Sequence, residues 1–288
     1  MGLIQRAAAR IKEQQSSANP PASPDPVAAR ASSSPAQTAS ADSQAEPSSS
    51  KRSREITVDR GRLARAGIAL PSNVRSRLVE EFRIIKRGVL SNAEENKERG
   101  RLIMITSARP KEGKTFTSLN LALAIASERD RHVLLMDCDV HRQALVEYLG
   151  IEAQQGLVDL LAGPGTDIAD VLLRTNIPNL TVLPSGKAAP HVPELLSSSR
   201  MSGLVDEMVR RYPDRFIIFD APPCLATSDP SILAGLVGQI VFVVEASQTQ
   251  EHEIASALRL ISACPTIGLV LNKTVGAASD QFGSYSYY

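Results

Sequence analysis

The chain has 288 residues, of which 43% are hydrophobic and 22% charged, and its formal net charge is +1. This length allows one sizeable α/β core with an appendage, and the near-zero net charge argues against nucleic acid as a partner. No window approaches the roughly 18–20 apolar residues that a membrane-spanning helix requires, and no apolar core of a secretory signal follows the N-terminus. These observations lead us to expect a cytoplasmic protein.

Residues 1–55 are dominated by Ser, Ala and Pro, with very few large hydrophobic side chains. Such a segment buries too little surface to offset its ordering entropy, so it is predicted to be a disordered region. Its first 13 residues are basic and carry apolar residues at helical spacing. Two interpretations of them stay open, namely a helix that docks on a membrane surface or a partner and a frayed terminus.

Residues 56–100 are predicted to form a helical region before the main domain. A short helix is expected at 60–66 and a longer one at 73–90, followed by a charged, mobile connector at 92–99. The polar side of the longer helix carries a charged stripe of Glu80, Arg83 and Lys86. On a lone helix, such a stripe is usually a solvated face.

The central motif begins with an apolar run at 102–106, which predicts a buried strand. A short loop follows, and Gly113, Lys114 and Thr115 then open a helix with a wide apolar face. Backbone N–H groups at a helix N-terminus point at one spot where the helix dipole favours negative charge. Gly113 permits close approach of a phosphate, Lys114 offers a positive charge, and the Thr115 hydroxyl can ligate Mg²⁺. Because Ala108 stands where the usual P-loop has its first glycine, a chance turn also stays open on this motif alone.

Beyond this motif the chain alternates between predicted strands and helices. Strands are expected at 132–136, 180–183, 216–220, 240–245 and 266–271. Helices are expected at 143–149, 156–162, 168–173, 193–196, 201–212, 229–236 and 250–264. This alternation predicts an α/β fold with a parallel sheet that is covered by helices on both faces.

Polar side chains follow three of these strands at the point where each strand ends. Asp137 and Asp139 follow one strand, Asp220 ends another before Pro-Pro, and Asn272 follows the last. The carboxyl ends of parallel strands face the ligand crevice, so these groups are expected to meet there. Asp220 is placed to hold Mg²⁺ through water, and Asn272 to contact a base edge. A single such Asp is more often a cap or turn former, but three of them together with Gly-Lys-Thr indicate a nucleotide site.

Three segments resemble the Walker A, A′ and B motifs of bacterial tyrosine kinases. They are Pro110-Lys-Glu-Gly-Lys-Thr115, Val-Leu-Leu-Met-Asp137-Cys-Asp139 and Ile-Ile-Phe-Asp220-Ala-Pro-Pro223. The C-terminal tyrosine cluster completes the resemblance, which is greatest to free-standing autokinases of exopolysaccharide synthesis, of the kind linked to exosortase systems. The first three motifs are also similar to those of MinD/ParA-type ATPases. The resemblance implies a P-loop kinase domain at 101–275 and a flexible tyrosine-rich tail at 276–288.

The resemblance also implies roles for individual residues, with ATP and Mg²⁺ as cofactors. Lys114 stabilises charge on the transferring phosphoryl group, Asp137 orients or deprotonates the incoming tyrosine, and Asp139 and Asp220 act through the metal. The implied metal ligands are Thr115, Asp139 and Asp220. The implied nucleotide contacts are Pro110, Lys111, Glu112, Gly113, Lys114, Thr115, Phe116, Arg142 and Asn272. Family members often have Gly at the position of Lys111, and Arg109 occupies the place of the extra lysine of MinD-like ATPases.

Finally, the resemblance implies an assembly and partners. Glu80 and Arg83 match a family helix that builds a ring of subunits, with Lys86 where a second Arg is usual. Tyr285, Tyr287 and Tyr288 are then the autophosphorylation sites, each tail entering a neighbour's active site. A membrane polysaccharide chain-length or export protein is the implied activator, which places the kinase at the inner face of the plasma membrane, and a cognate tyrosine phosphatase is expected. Two alternatives stay open: a MinD/ParA-like ATPase switch without protein phosphorylation, and a scaffold that binds ATP without turnover.

Overall fold

The computed structural model of this protein describes most of the chain between residues 54 and 274. The described residues are 54–70, 76–96, 99–152, 155–163, 165–187, 189 and 191–274. The segment predicted to be disordered, up to residue 53, and the predicted tyrosine tail from residue 276 lie outside the described residues.

Within the described residues, eight strands form a single sheet. They are β1 (Arg54–Ile56), β2 (Leu102–Ser107), β3 (His132–Asp137), β4 (Leu173–Thr175), β5 (Leu180–Leu183), β6 (Arg215–Asp220), β7 (Gln239–Glu245) and β8 (Ile267–Asn272). Their order across the sheet is β1-β4-β5-β3-β6-β2-β7-β8. β2, β3 and β6 are therefore neighbours at its centre, and the residues that follow them lie at one edge.

The described part of the chain contains ten helices. They are α1 (Arg60–Arg65), α2 (Arg77–Glu95), α3 (Lys114–Ala126), α4 (Ala144–Leu149), α5 (Leu157–Ala162), α6 (Ile168–Val171), α7 (Val192–Leu196), α8 (Ser199–Arg211), α9 (Asp229–Ala234) and α10 (Glu251–Leu260). None of these described helices is long and apolar enough to cross a membrane.

The sheet is parallel except between β4 and β5, which run antiparallel. Only residues 176–179 join these two strands, and a parallel connection requires a crossover of a dozen or more residues. The predicted parallel α/β fold with helices on both faces is confirmed, with this one antiparallel pair as the exception.

The core lies between the sheet and its covering helices. Alternate residues of the central strands, such as Ile103 and Ile105 of β2, pack in one cluster with α2 and α3. The residues between them, such as Leu102 and Met104, are equally buried on the opposite face, and α9 packs against β2. Because both faces are covered, each central strand is a continuous apolar run, and these runs allowed the strands to be predicted from the sequence.

Two short strands and several helix ends differ from the sequence prediction; the helix predicted at 250–264, for example, ends at Leu260. β1 and β4 have three residues each, which is too few for a recognisable alternation, and neither strand was predicted. β1 begins inside the predicted disordered region, and β4 begins at Leu173, which was predicted to be the last residue of a helix. The long helix α2 ends at Glu95 and not at Leu90. The predicted connector at 92–99 is therefore wrong for residues 92–95, where Asn92 donates to Gln239 at 3.4 Å.

The side chain of Gln239 joins α2 to the sheet. It is 2% exposed, and its Nε2 donates to the carbonyl oxygens of Val89, in α2, at 3.0 Å and of Gly100, before β2, at 2.5 Å. Buried backbone carbonyls without a donor destabilise a fold. Gln239 therefore anchors the predicted oligomerisation helix to the domain that contains the active site.

We expect Gln239→Met to lower the free energy of unfolding by about 1–3 kcal/mol, because the Gly100 carbonyl loses its side-chain donor and the Val89 carbonyl, inside α2, loses its bond beyond the helix at nearly constant volume. Urea unfolding followed by circular dichroism measures this change. Gln248→Met, at an exposed position, is the matched control and should leave the free energy of unfolding within about 0.5 kcal/mol of the wild type. Equal losses in the two variants would contradict the anchoring role.

Candidate active site

The loop between β2 and α3 has the backbone of an anion-binding turn. Gly113 precedes α3 with a φ of +101°, and a Cβ at this position would lie 2.0 Å from Nδ2 of Asn272. Only glycine fits this combination of left-handed backbone and close approach. The unpaired N–H groups of the first turn of α3 then attract a phosphate group. Lys111 has a φ of +69°, which explains why glycine is well suited to that position.

Three carboxylates meet beside this loop. Asp137 and Asp220 end β3 and β6 and are direct partners across the two strands, and Asp139 follows two residues after Asp137. Their exposed fractions are 0%, 1% and 4% respectively. The structure thus brings together the acidic residues that the sequence placed at strand ends.

Lys114 and Ser118 project from α3 towards these carboxylates. Nζ of Lys114, itself 3% exposed, donates to Oδ2 of Asp139 at 2.5 Å. One turn later, Oγ of Ser118 donates to Oδ1 of Asp220 at 2.9 Å. The backbone N–H of Asp139 donates to Oδ1 of Asp137 at 3.1 Å. The first turn of α3 and the ends of β3 and β6 therefore form one connected polar cluster.

Two oxygens of this cluster are buried without a hydrogen bond from any described residue, namely Oδ2 of Asp137 and Oδ2 of Asp220. The orphaned oxygen of Asp220, beside the Thr115 hydroxyl, belongs to a donor set that fits Mg²⁺, and that of Asp137 is open to a proton. No group of three or more His, Cys, Asp and Glu side chains in the described part of the chain is arranged to hold a metal ion. Mg²⁺ at this place would therefore take its remaining ligands from Thr115, phosphate and water.

The crowding of these carboxylates changes their acidity. Burial raises the pKa of Asp137 well above its ordinary value of 3.8, and the nearby charge of Asp220 raises it further. Burial also raises the pKa of Asp220, although the Lys114 ammonium and the hydroxyls of Thr115 and Ser118 act in the opposite direction. Such shifts mark a site that favours a bound cation or a proton.

A pocket of about 280 Å³ lies in front of the loop. It is lined by Lys111, Gly113, Lys114, Thr115, Phe116, Arg142, Ala144, Tyr148, Asn272 and Lys273. Seven of the nine predicted nucleotide contacts are in this lining. The pocket combines several cationic side chains with aromatic ones, which suits a polyanion that carries a base.

Two of the predicted nucleotide contacts do not line the pocket, and the side chain of a third is already hydrogen-bonded within the protein. Pro110 is exposed, and Glu112 is completely buried beneath the loop, where its carboxylate is bonded within the protein. Glu112 is buried because Thr249, far away in sequence, supplies a hydroxyl for it. Asn272 was predicted to contact a base edge, yet its Nδ2 donates to the carbonyl of Glu112 at 2.9 Å.

The residues predicted to build an oligomer lie away from this pocket. Glu80 and Arg83 are exposed on α2 and form an ion pair with each other. Lys86 instead forms an ion pair with Glu128 at 2.7 Å, and its side chain is only 16% exposed. Lys86 is thus engaged within its own chain, and the predicted stripe is divided. Tyr285, Tyr287 and Tyr288 lie outside the described residues.

Several residues near the site were missed by sequence reasoning. Ser118 lies one helical turn after Lys114, a spacing that could have identified it. Tyr148 and Lys273 line the pocket without a motif of their own. Asp229 at the start of α9 is 1% exposed with an unbonded Oδ1, and burial raises its pKa. Its sequence context, Ser-Asp-Pro, is indistinguishable from an ordinary helix start.

A family model described as an AAA domain matches residues 100–273. The kinase domain of the Escherichia coli tyrosine kinase ETK is similar to this chain with a TM-score of 0.65 and 25% identity, over 82% of this chain and 93% of that domain. The septum site-determining protein MinD of Pyrococcus horikoshii shares the fold at a TM-score of 0.50 and 22% identity, over 59% of this chain and 69% of that one. The fold and the site define a P-loop nucleotide-binding protein.

Curated relatives narrow the class. The tyrosine-protein kinase YwqD of Bacillus subtilis is 32% identical over 188 residues, which are 65% of this chain and 76% of YwqD. The tyrosine-protein kinase wzc of Salmonella typhimurium is 33% identical over 189 residues, which are 65% of this chain and 26% of wzc. The chain thus spans about a quarter of the length of wzc. It belongs to the bacterial tyrosine kinase family.

We expect Gly113→Ala to weaken nucleotide binding at least about tenfold, because the new methyl group would displace the Asn272 amide and strain the left-handed backbone. Calorimetric titration with ADP and Mg²⁺ measures the Kd. Gly203→Ala in α8, where a Cβ meets nothing within 4 Å, is the control and should bind as the wild type does. Unchanged affinity in Gly113→Ala would contradict the role of this turn.

The raised pKa of Asp137 predicts that the stability of the protein depends on pH. Its pKa is higher in the folded than in the unfolded protein. Its stabilising contribution to the free energy of unfolding is therefore fully present below the ordinary Asp pKa of 3.8 and is lost as the pH rises through the raised pKa of the folded protein. We therefore expect Asp137→Asn to be more stable than the wild type near neutral pH in Mg²⁺-free buffer, with the difference shrinking towards pH ~4.

Urea unfolding at a series of pH values measures this difference. Asp130→Asn, at an exposed position, controls for the loss of one charge on the surface. An Asp137→Asn variant that is less stable than the wild type near neutral pH would show that the carboxylate is not repelled by its neighbours.

Proposed function

We propose that this protein is an ATP-dependent protein-tyrosine autokinase that phosphorylates its own C-terminal tyrosine cluster in trans. The observation that carries the proposal is the buried cluster of Lys114, Asp137, Asp139 and Asp220 beside a phosphate loop, in a chain 32% identical to most of a tyrosine-protein kinase. Phosphoryl transfer requires positioned charge more than covalent chemistry, and this cluster supplies it.

Each residue of the cluster has a place in this reaction. Lys114 offsets the charge that develops on the transferring phosphoryl group, and the N–H groups at the start of α3 hold the phosphates. Thr115, Asp139 and Asp220 are the residues that would hold Mg²⁺. Bound Mg²⁺ supplies electrostatic stabilisation of the phosphate oxygens.

Asp137 is the candidate base. Burial and Asp220 raise its pKa, so its carboxylate takes up a proton more readily than an ordinary Asp. Its Oδ2 is free of hydrogen bonds from the described residues. In the proposed reaction this oxygen accepts the proton of the incoming tyrosine hydroxyl, whose oxygen forms the new bond to phosphorus as ADP leaves.

The rival function is that of a MinD/ParA-like switch, in which dimerisation on nucleotide is the output. In the resemblance, Arg109 occupies the place of the lysine that such ATPases present to a partner subunit. Here Nη2 of Arg109 donates to the carbonyl of Gln248 at 3.1 Å, and its guanidinium lies 3.6 Å from Oε1 of Glu253. Because these contacts hold Arg109 within its own chain, they favour the kinase.

The cellular setting of the proposed kinase follows the family resemblance. Phosphorylation of the tail would regulate exopolysaccharide biosynthesis and export, with a membrane chain-length or export protein as the activator that holds the kinase at the inner face of the membrane. Exposed Glu80 and Arg83 on α2 are available for ring contacts. Each phosphate adds about −1.5 to −2 charges to a tail that would enter an acidic site, which would favour release of the tail and loosening of the ring.

The test is incubation with ATP and Mg²⁺ followed by phosphotyrosine detection and intact-mass analysis. We expect one to three added phosphates in the wild type and none in Lys114→Met or in the variant with Tyr285, Tyr287 and Tyr288 changed to Phe. Tyr212→Phe, whose ring stacks beside Arg215, should be phosphorylated like the wild type.

Mixing the Lys114→Met variant with the triple Phe variant tests transfer between subunits. The Lys114→Met chain keeps its tail and the triple Phe chain keeps its active site, so phosphate should appear on the Lys114→Met chain only if transfer occurs in trans. ADP release without phosphate on the protein would support the ATPase switch. Absence of both products, even with the membrane activator present, would support the scaffold that binds ATP without turnover.

A further inference from the structure

Glu112 is a fully buried carboxylate within the phosphate loop, and both of its oxygens are bonded. Oε2 accepts the backbone N–H of Arg109 at 2.9 Å, and Oε1 accepts the hydroxyl of Thr249 at 2.5 Å. Thr249 lies between β7 and α10, 137 residues further along the chain. This contact joins the phosphate loop to a distant segment, and neither residue lines the pocket.

The hydrogen bonds around Thr249 have a fixed direction. Its Oγ1 accepts the backbone N–H of Glu245 at 3.0 Å, so its single proton is free to be donated to Glu112. A carboxylate is a strong acceptor, and bonds to charged groups are shorter and stronger than neutral ones. The chain of bonds therefore runs from Glu245 through Thr249 to Glu112 without an unsatisfied group.

Further contacts hold the loop. The side chain of Arg109 reaches the 245–253 segment through Gln248 and Glu253. Nζ of Lys273 donates to the carbonyl of Lys111 at 2.8 Å. The loop has a non-glycine residue at a φ of +69° and Ala108 in place of the first P-loop glycine. A loop with these backbone demands requires external bonds to keep its shape.

We propose that Thr249 and Glu112 are positioning residues of the nucleotide site. They hold the phosphate loop in the shape in which its N–H groups would face the phosphates, and neither contributes a side chain to the pocket lining. The proposal rests on the proposed kinase function and deepens it, because it concerns the same loop. Its test, however, measures nucleotide affinity, which can be determined without any phosphorylation. It assigns to Thr249 a role that no motif of the sequence indicates.

Thr249→Val is the informative substitution because it replaces the hydroxyl by a methyl group of similar size. Oε1 of Glu112 then loses its hydrogen bond and keeps only the Nε of Arg109, 3.8 Å away, and the Glu245 N–H loses its acceptor. The loop relaxes to relieve both, and the N–H groups that face the phosphates move with it. Thr249→Ser retains the hydroxyl and is expected to restore the wild-type behaviour.

The experiment measures the Kd for ADP with Mg²⁺ by calorimetry, and KM and kcat for ATP in the phosphorylation assay. We expect Thr249→Val to raise the Kd and the KM about tenfold with kcat within about twofold of the wild type, and Thr249→Ser to stay within about twofold in each. Thr181→Val in β5, whose hydroxyl has no hydrogen bond to the described part of the chain, is the matched control and should change none of them.

Three results would overturn the proposal: unchanged nucleotide affinity in Thr249→Val, an equal loss in Thr249→Ser, or a loss of kcat at constant KM. If Thr249→Val does not fold, Glu112→Gln takes its place, since an amide cannot accept from both Arg109 and Thr249 and should also raise the Kd. Wild-type protein that binds ADP without forming phosphotyrosine would refute the kinase function, and the Kd values would still decide the role of Thr249.

Discussion

The structure depends on the burial of opposite charges at one edge of the sheet. Asp137, Asp139 and Asp220 are removed from water at the ends of two neighbouring strands, and buried charges are costly without partners. Lys114, Ser118 and a backbone N–H meet part of this demand. Oδ2 of Asp137 and Oδ2 of Asp220 have no hydrogen bond from the described residues, and the proposed function assigns a proton to the first and a metal ion to the second.

The parts of the fold that the sequence predicted correctly share one property, which is that their signal is local. β2, β3, β6 and β7 are apolar runs because helices cover both faces of the sheet. The phosphate loop is recognisable because Gly113, Lys114 and Thr115 are adjacent. Strand ends converge in any parallel sheet, so the placement of Asp137 beside Asp220 follows from chain topology once the strands are known.

What the sequence did not predict depends on pairs that are distant in the chain. Glu112 was expected to contact nucleotide, because nothing near it indicates that Thr249 supplies its partner. Lys86 was expected to share a charged stripe with Arg83, because its partner Glu128, just after the end of α3, is distant in sequence. The three-residue strands β1 and β4 depend on pairing with each other and, for β4, with β5, and such short segments carry no periodicity of their own.

The ion pair between Lys114 and Asp139 has a consequence for selectivity among anions. Because the loop lysine already has an internal counter-ion at 2.5 Å, a free phosphate or another small anion must compete with a carboxylate that is held in place. Under the proposed function, an incoming nucleotide that brings a divalent cation would meet a different situation, since the cation would offer Asp139 a new partner and free the lysine at the same moment. This ion pair would then let the site discriminate between a lone anion and a metal–nucleotide pair.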